Sequence, residues 1–318
     1  MPRNLDSAAR SGDAEVIRPD VFRPPLEVVT LPDFLRRTFP PRSMLLAPWL
    51  PLKGLAMAFS PRGVGKTHFA LGVAYAVATG GYFLKWKAPA PRKVLVLDGE
   101  MPASVLQERL SEIVDKADKE PPADDYVRIL AADLCEFGLP DLSTKEGQDA
   151  IAPHIGDAEL IIVDNLSTIC RSGKENESES WATVQAWALQ MRREGRSVLF
   201  IHHAGKGGEQ RGTSKREDVM DSVLKLSLPE DYSPADGARF VVTFTKSRGF
   251  HGPDAEPFEA GLRDGAWSTK DIEDALAAQA YELSQDGMTQ RQIAHQFNCS
   301  PAKVNRMIGR HKEAIACR

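Results

Sequence analysis

The stretch that most constrains this chain is Leu55 to Thr79, LAMAFSPRGVGKTHFALGVAYAVAT, in which an apolar strand, a glycine-bearing turn and an apolar helix follow one another without a gap. A unit of this kind reads as a cradle for phosphate. Glycine tolerates backbone angles that other residues resist, so the N–H groups around Gly63, Val64 and Gly65 can turn inward onto phosphate oxygens, and the helix that follows adds the positive end of its dipole. Lys66 then reaches the β- and γ-phosphates, and Thr67 offers a hydroxyl to Mg2+. The nucleotide-binding set read from the loop is Ser60, Pro61, Arg62, Gly63, Val64, Gly65, Lys66, Thr67 and His68. The match to the pattern GxxxxGK[ST] is incomplete, because Ser60 stands where the pattern has glycine. The bland alternative is a glycine-rich turn between two core elements that happens to hold Lys-Thr; the strand before it and the helix after it favour the phosphate reading.

At 318 residues the chain has room for one large α/β domain and a small accessory domain, and a hydrophobic share of 42% is ordinary for a globular protein. The net charge of −4 argues neither for nor against a nucleic-acid partner, so any such attraction must come from local patches. Cys135, Cys170, Cys299 and Cys317 show no CxxC pair or Cys/His ligand spacing, which fits a reduced intracellular protein without a disulfide framework. The start of the chain lacks the apolar core of a signal peptide, and no apolar run approaches the roughly 20 residues that span a bilayer. The expectation is a cytoplasmic protein with no membrane partner.

Residues 1–30 are polar and aperiodic and read as a flexible tail, followed by a proline-dense lead-in with a short helix near Asp33–Arg37. Beyond the phosphate loop, Val94–Leu97 is a continuous apolar run suited to a strand buried on both faces, and it ends in Asp98-Gly99-Glu100. Carboxylates at the carboxyl end of such a strand lie where open α/β sheets place their chemistry. Glu100 is the residue to orient or deprotonate an attacking water, with Asp98 in a structural or metal-shell role. Helices are expected over 105–117 and 145–155 and a strand over 126–130. Leu160–Val163 ends in Asp164, a Walker B pattern whose acid holds Mg2+ opposite Thr67. Val198–Ile201 ends in His202 and His203, and His203 is placed to sense the γ-phosphate. Trp181 and Trp187, at helical spacing, read as core rather than as base-stacking platforms. A strand is expected over 239–245, after which the sheet fades through Pro253 to Trp267.

From Asp271 the pattern becomes three short helices, with Thr289 and Ser300 as N-caps and Pro301 at a first helical position. This order reads as a helix-turn-helix with Ile293, Phe297, Val304 and Ile308 as core and Ala294 at the close approach. Its third helix carries Lys303, Asn305, Arg306 and Arg310, side chains suited to phosphates and base edges. The competing reading is a three-helix cap with solvated basic residues.

Taken together, SPRGVGKTHFALGVAYAVATG, VLVLDGEMP, LIIVDNLS and VLFIHHAGKGGEQRGTSKREDVMDSVLKL resemble the RepA-type branch of the RecA-like ATPases, which includes plasmid replicative helicases that form hexameric rings. The resemblance covers about residues 45–250. It implies that Glu100 is the catalytic glutamate, Asp164 the Walker B acid, His203 the sensor and Arg211 a finger that reaches the γ-phosphate of a neighbouring subunit. Lys246 and Arg248 resemble a basic pair placed at the same interface in other RecA-like proteins. Lys174, Lys206, Lys215 and Arg216, in the loops after the Walker B and histidine strands, are the candidates for single-stranded DNA.

The sequence thus predicts an α/β fold of the RecA-like P-loop class with a mainly parallel sheet over residues 31–268 and a small helical domain over 269–318. The leading functional expectation is an Mg2+-dependent ATPase that binds ATP, assembles into a ring, expected to be a hexamer, and translocates on or unwinds DNA during replication of a mobile element. Two rivals are an ATP-controlled DNA-binding initiator or regulator, and a recombination or repair ATPase that forms filaments.

Overall fold

The computed structural model describes residues 27–171, 178–204, 216–297 and 299–316. The chain divides into two compact units, Met1–Pro41 and Arg42–Arg318. In the first, helix α1 (Leu31–Arg36) starts earlier than expected because the Thr30 hydroxyl caps it, accepting the Asp33 N–H at 3.3 Å. None of its residues is buried.

The second unit opens with a hairpin of β1 (Met44–Leu46) and β2 (Leu50–Pro51), then β3 (Leu55–Ser60) and α2 (Lys66–Thr79). A second small hairpin, β4 (Tyr82–Phe83) and β5 (Trp86–Lys87), precedes β6 (Val94–Asp98), α3 (Ala103–Asp115), β7 (Val127–Ala131) and α4 (Lys145–Ile155). The chain continues through β8 (Leu160–Asp164), α5 (Leu166–Ile169), α6 (Ser178–Arg193), β9 (Ser197–His203), β10 (Ser222–Ser227) and β11 (Arg239–Ser247). It ends with β12 (Phe258–Arg263), β13 (Ala266–Asp271), α7 (Ile272–Gln285), α8 (Gln290–Gln296) and α9 (Pro301–Ala316).

Among the described residues, nine strands form one sheet in the order β13-β12-β11-β10-β3-β9-β8-β6-β7. The six from β10 to β7 are mutually parallel, and β11, β12 and β13 add to the β10 side as antiparallel neighbours. The region from Pro253 to Trp267, expected to fade from the sheet, instead supplies β12 and the first two residues of β13. Their sequences, FEAGLR and AWSTKD, look like loop because outer strands need only one apolar face.

Alternate residues of β3 serve opposite faces. Ala56 and Ala58 join a core with α2, Trp49 and Trp86, while Leu55, Met57 and Phe59 join a core with α4, α5 and α6. Trp181 and Trp187 belong to the second core, as their spacing predicts. Helix α2 is buried on nearly every side, and Gly80, in the left-handed conformation, ends it. At the amino end of β3, buried Asp221 accepts the Leu55 N–H at 2.9 Å and pairs with Arg42 and Arg192.

The three terminal helices have their own small core of Ala277, Ala280, Ile293, Ala294, Val304, Met307 and Ile308, with Phe297 packed against it. The Thr289 capping box opens α8, with the Gln292 N–H donating to the hydroxyl. Among the described residues, no helix is long and apolar enough to cross a membrane.

Gly72 of α2 lies under the Phe83 ring, where an added Cβ would come 2.1 Å from Cε2. That ring cannot move away freely, because Phe69, Trp86 and Trp267 surround it with centroids at 5.5, 6.3 and 5.6 Å. Gly72→Ala is therefore expected to destabilise the fold by about 1–3 kcal/mol, as overpacking does, read as a lowered midpoint in denaturant unfolding; an unchanged midpoint would contradict this packing.

Candidate active site

The end of β3, the turn after it and the start of α2 form the floor of a cleft of about 480 Å3. Gly63 and Gly65 have φ of +79° and +108°, angles that only glycine adopts readily, and an added Cβ at Gly65 would also lie 3.3 Å from the Ala238 Cβ. Ser60 needs no such freedom. It is the last residue of β3, and its buried hydroxyl donates to the Pro61 carbonyl at 2.8 Å. The departure from the glycine pattern is thus accommodated by extended backbone.

The Lys66 side chain folds back over this turn. Its Nζ donates to the Pro61 carbonyl at 2.9 Å, to Ser60 Oγ at 3.3 Å and to the Ser60 carbonyl at 3.4 Å. The residue is only 8% exposed, and burial lowers the ammonium pKa, an effect that Asp164 and Glu100 oppose and Arg62 reinforces. A poorly solvated cation with donors to spare is suited to take phosphate oxygens. His68, on the same turn of α2, is kept neutral because burial and the nearby Arg109 hold its pKa down to about 4.

The acidic side of the cleft comes from the carboxyl ends of β6 and β8, whose register sets Asp98 beside Asp164. Asp98 Oδ1 accepts the Glu100 N–H at 3.1 Å and the Met101 N–H at 2.7 Å, so it shapes the turn that carries Glu100 into the cleft. This is the structural role expected for it. Glu100 is half-exposed, accepts a hydrogen bond from Asn165 Nδ2 and has Oε2 3.5 Å from His203 Nε2. Burial, followed by the Lys66 charge, pushes the His203 pKa down, with Glu100 opposing. Register across β3 and β9 places His203 opposite Ser60, which brings the histidine over the phosphate turn.

Asp164 is 3% exposed. Its pKa is pushed up to about 7, chiefly by burial and then by the Asp98 charge, while a hydrogen bond from Thr67 opposes the rise. Its Oδ2 and that of Asp98 are buried without hydrogen-bond partners among the described residues. Oxygen donors of this kind, beside a threonine hydroxyl, fit a hard divalent cation such as Mg2+.

The profile of the AAA domain family matches residues 21–209, more than half of the chain. The chain belongs to the AAA domain family. A solved KaiC-like protein of the hyperthermophilic archaeon Pyrococcus horikoshii OT3 aligns with this AAA-domain protein at a TM-score of 0.52 and 16% identity, over 71% of this chain and 93% of the other. That likeness shows the RecA-like P-loop ATPase fold. The RadB recombinase aligns at a TM-score of 0.47 and 16% identity, over 70% of this chain and 91% of the other. No curated protein sequence matches the chain. Membership of the AAA domain family supports nucleotide binding and ATP hydrolysis.

Of the residues singled out from the sequence of this AAA-domain protein, Arg62, Gly63, Gly65, Lys66, Thr67, His68, Glu100, Asp164 and His203 line the one cleft. Ser60 and Val64 are buried and do not line it. Lys246 and Arg248 are not brought to it. Antiparallel pairing sets Lys246 opposite Val223, near the amino end of β10, and its ammonium donates to the carbonyls of Glu217 and Asp218. Arg216, expected to face a nucleic-acid strand, is instead 4% exposed: its guanidinium is 2.8 Å from His202 Nε2 and lies over the Trp181 ring, 5.8 Å from its centroid. Arg211, Lys174, Lys206 and Lys215 lie outside the described residues.

On α9, Lys303, Asn305, Arg306 and Arg310 are exposed, and Asn305 Oδ1 accepts from Gln290 Nε2 at 3.1 Å. Residues that the sequence reading missed also line the cleft: Arg109 from α3, and Tyr232, Gly237 and Ala238 from the connection before β11. Asn165 was missed as well, although its place directly after the Walker B acid was a usable signal.

Removing the Lys66 ammonium deletes charge-assisted bonds to phosphate, so Lys66→Ala is expected to weaken Mg·ATP binding by about 10-fold or more. Titration with a fluorescent ATP analogue measures this, and wild-type affinity in the variant would contradict the assignment.

Proposed function

We propose that this chain is an Mg2+-dependent ATPase that works as a ring, a hexamer, and translocates on or unwinds DNA in the replication of a plasmid, phage or other mobile element. The observation that supports hydrolysis is the meeting of Lys66, the Thr67–Asp164 pair, Glu100 and His203 in a single cleft. Bound between Thr67 and Asp164, Mg2+ would neutralise charge on the β- and γ-phosphates. Lys66 would exchange the loop carbonyls for γ-phosphate oxygens. Glu100 would accept a proton from water as the water oxygen bonds to the γ-phosphorus and the bond to the β–γ bridging oxygen breaks, leaving ADP and phosphate. His203, beside both Glu100 and the phosphate turn, would register loss of the γ-phosphate and pass it to the segment after β9.

Assembly rests on the sequence resemblance. Arg211 would complete the site of a neighbouring subunit, where a guanidinium at the phosphoryl oxygens contributes on the order of 10³-fold or more. Lys246 and Arg248, remote from their own cleft, would act only across such an interface. Lys174, Lys206 and Lys215 would touch single-stranded DNA inside the ring. We keep residues 31–268 as the ATPase domain and 269–318 as a helix-turn-helix domain, whose exposed Lys303, Arg306 and Arg310 are suited to duplex phosphates.

That exposed basic face of α9 also favours a second reading, an initiator or regulator in which ATP controls assembly on a particular duplex. Salt-dependent binding to one duplex that needs residues 271–318 and survives Glu100→Gln would support it. Closed rings in electron micrographs would favour the helicase reading, and open filaments a recombination or repair ATPase.

ATP turnover is measured against protein concentration, with and without single-stranded DNA, for wild type, Glu100→Gln and Arg211→Ala. Glu100→Gln should lower kcat by about 10²–10⁴-fold, the usual share of a general base. The wild-type rate per subunit should rise with concentration and with DNA, and Arg211→Ala should abolish the rise with concentration. A rate that ignores concentration, DNA and Arg211→Ala alike would contradict a shared site.

A further inference from the structure

We infer that Asn165 is a positioning residue of the hydrolytic site, whose side-chain amide holds Glu100 and His203 in one arrangement; the inference rests on the ATPase reading above. Asn165 is fully buried at the carboxyl end of β8. Its Oδ1 accepts the backbone N–H groups of Ser167 at 3.0 Å and Thr168 at 3.3 Å, which caps α5. Of the two ends of an amide only the oxygen can accept those bonds, so the two N–H donors of Nδ2 must point the other way. There Nδ2 donates to Glu100 Oε2 and lies 3.3 Å from His203 Nε2. His203 Nε2 is in turn 3.5 Å from Glu100 Oε2, so the side chain that ends β9 and one that follows β6 meet at the amide that follows β8.

The chemistry follows from the donor count. One amide hydrogen is committed to Glu100, and the second faces His203 Nε2, which accepts it in the tautomer protonated at Nδ1 and donates to Glu100 Oε2 in the other. With Oε2 held, Glu100 rotates less freely and keeps Oε1 for the attacking water. Because the helix cap fixes the amide from behind, a shift of His203 cannot be absorbed by Asn165. It must instead be felt at Glu100. Capping of α5 turns Nδ2 away from the helix, but it does not require a carboxylate and an imidazole to lie where Nδ2 then points.

The two roles separate experimentally in the full-length chain. Asn165→Ser and Asn165→Asp both keep an oxygen able to cap α5 and both lose the Nδ2 donors, the serine without adding charge. For Asn165→Ser, Mg·ATP affinity should stay within about 2-fold of wild type while kcat falls about 10-fold or more, the size of a lost hydrogen bond to a charged group. Asn165→Asp should fall further, since its carboxylate repels Glu100. If the serine variant lacks a cooperative melting transition, Asn165→Thr, which also keeps a capping hydroxyl and adds no charge, carries the same comparison.

In a Glu100→Gln background the Asn165 substitution should change kcat by less than about 2-fold, because groups that act as a unit are not additive. Wild-type kcat in Asn165→Ser, or an equal loss with and without Glu100, overturns the inference and leaves ATP hydrolysis standing. A wild-type protein that binds but never hydrolyses ATP overturns the ATPase reading, and the inference with it.

Discussion

The parallel register of four neighbouring strands is the constraint on which the site depends. β3, β9, β8 and β6 lie side by side, with Ser60 opposite His203 and Asp98 opposite Asp164. Side chains alternate between sheet faces, so a slip of one residue between any two of these strands would turn a whole set of core residues to the wrong side. The two apolar cores therefore lock the register, and the register places the chemistry. Hydrophobic burial on both faces of β3 is in this sense what aims His203 at the phosphate turn and brings the Asp164 carboxylate within reach of Thr67.

On that frame the local electrostatics are arranged around unmet demand. Lys66 satisfies its buried ammonium on the carbonyls of its own loop, where burial already weakens its hold on the proton. Across the cleft, Asp98 and Asp164 each present a buried oxygen without a hydrogen-bond partner among the described residues, and their mutual repulsion adds to the cost of desolvation. A triphosphate with a divalent cation would relieve both sides at once. The same reasoning assigns Asp98 to the scaffold, since its other oxygen is committed to the turn beneath Glu100.

The continuous apolar runs LAMAF, VLVL, LIIV and VLFI were legible as buried strands because strands covered on both faces need no polar alternation. Thr289 made the start of α8 legible, since a hydroxyl before a helix satisfies its first N–H groups. β12 and β13 were not legible, because outer strands tolerate the charged and small residues that also make loops. Arg216 was misread for a related reason. Its sequence neighbours are polar, but its environment is set by Trp181 and His202, which reach it only through tertiary packing. For Asn165 the sequence reveals a polar residue after an acid, whereas the direction of its amide is decided by two backbone N–H groups of α5.

The central claim is that Lys66, Thr67, Asp164 and Glu100 form one nucleotide-hydrolysing site. A crystal structure of the full-length protein with Mg2+ and a non-hydrolysable ATP analogue tests it most directly. The account predicts that Lys66 Nζ leaves the Ser60 and Pro61 carbonyls for the γ-phosphate, that the metal lies between the Thr67 hydroxyl and Asp164, and that Glu100 faces a water in line with the γ-phosphorus. A nucleotide bound elsewhere, with Lys66 still folded onto its own loop, would contradict it.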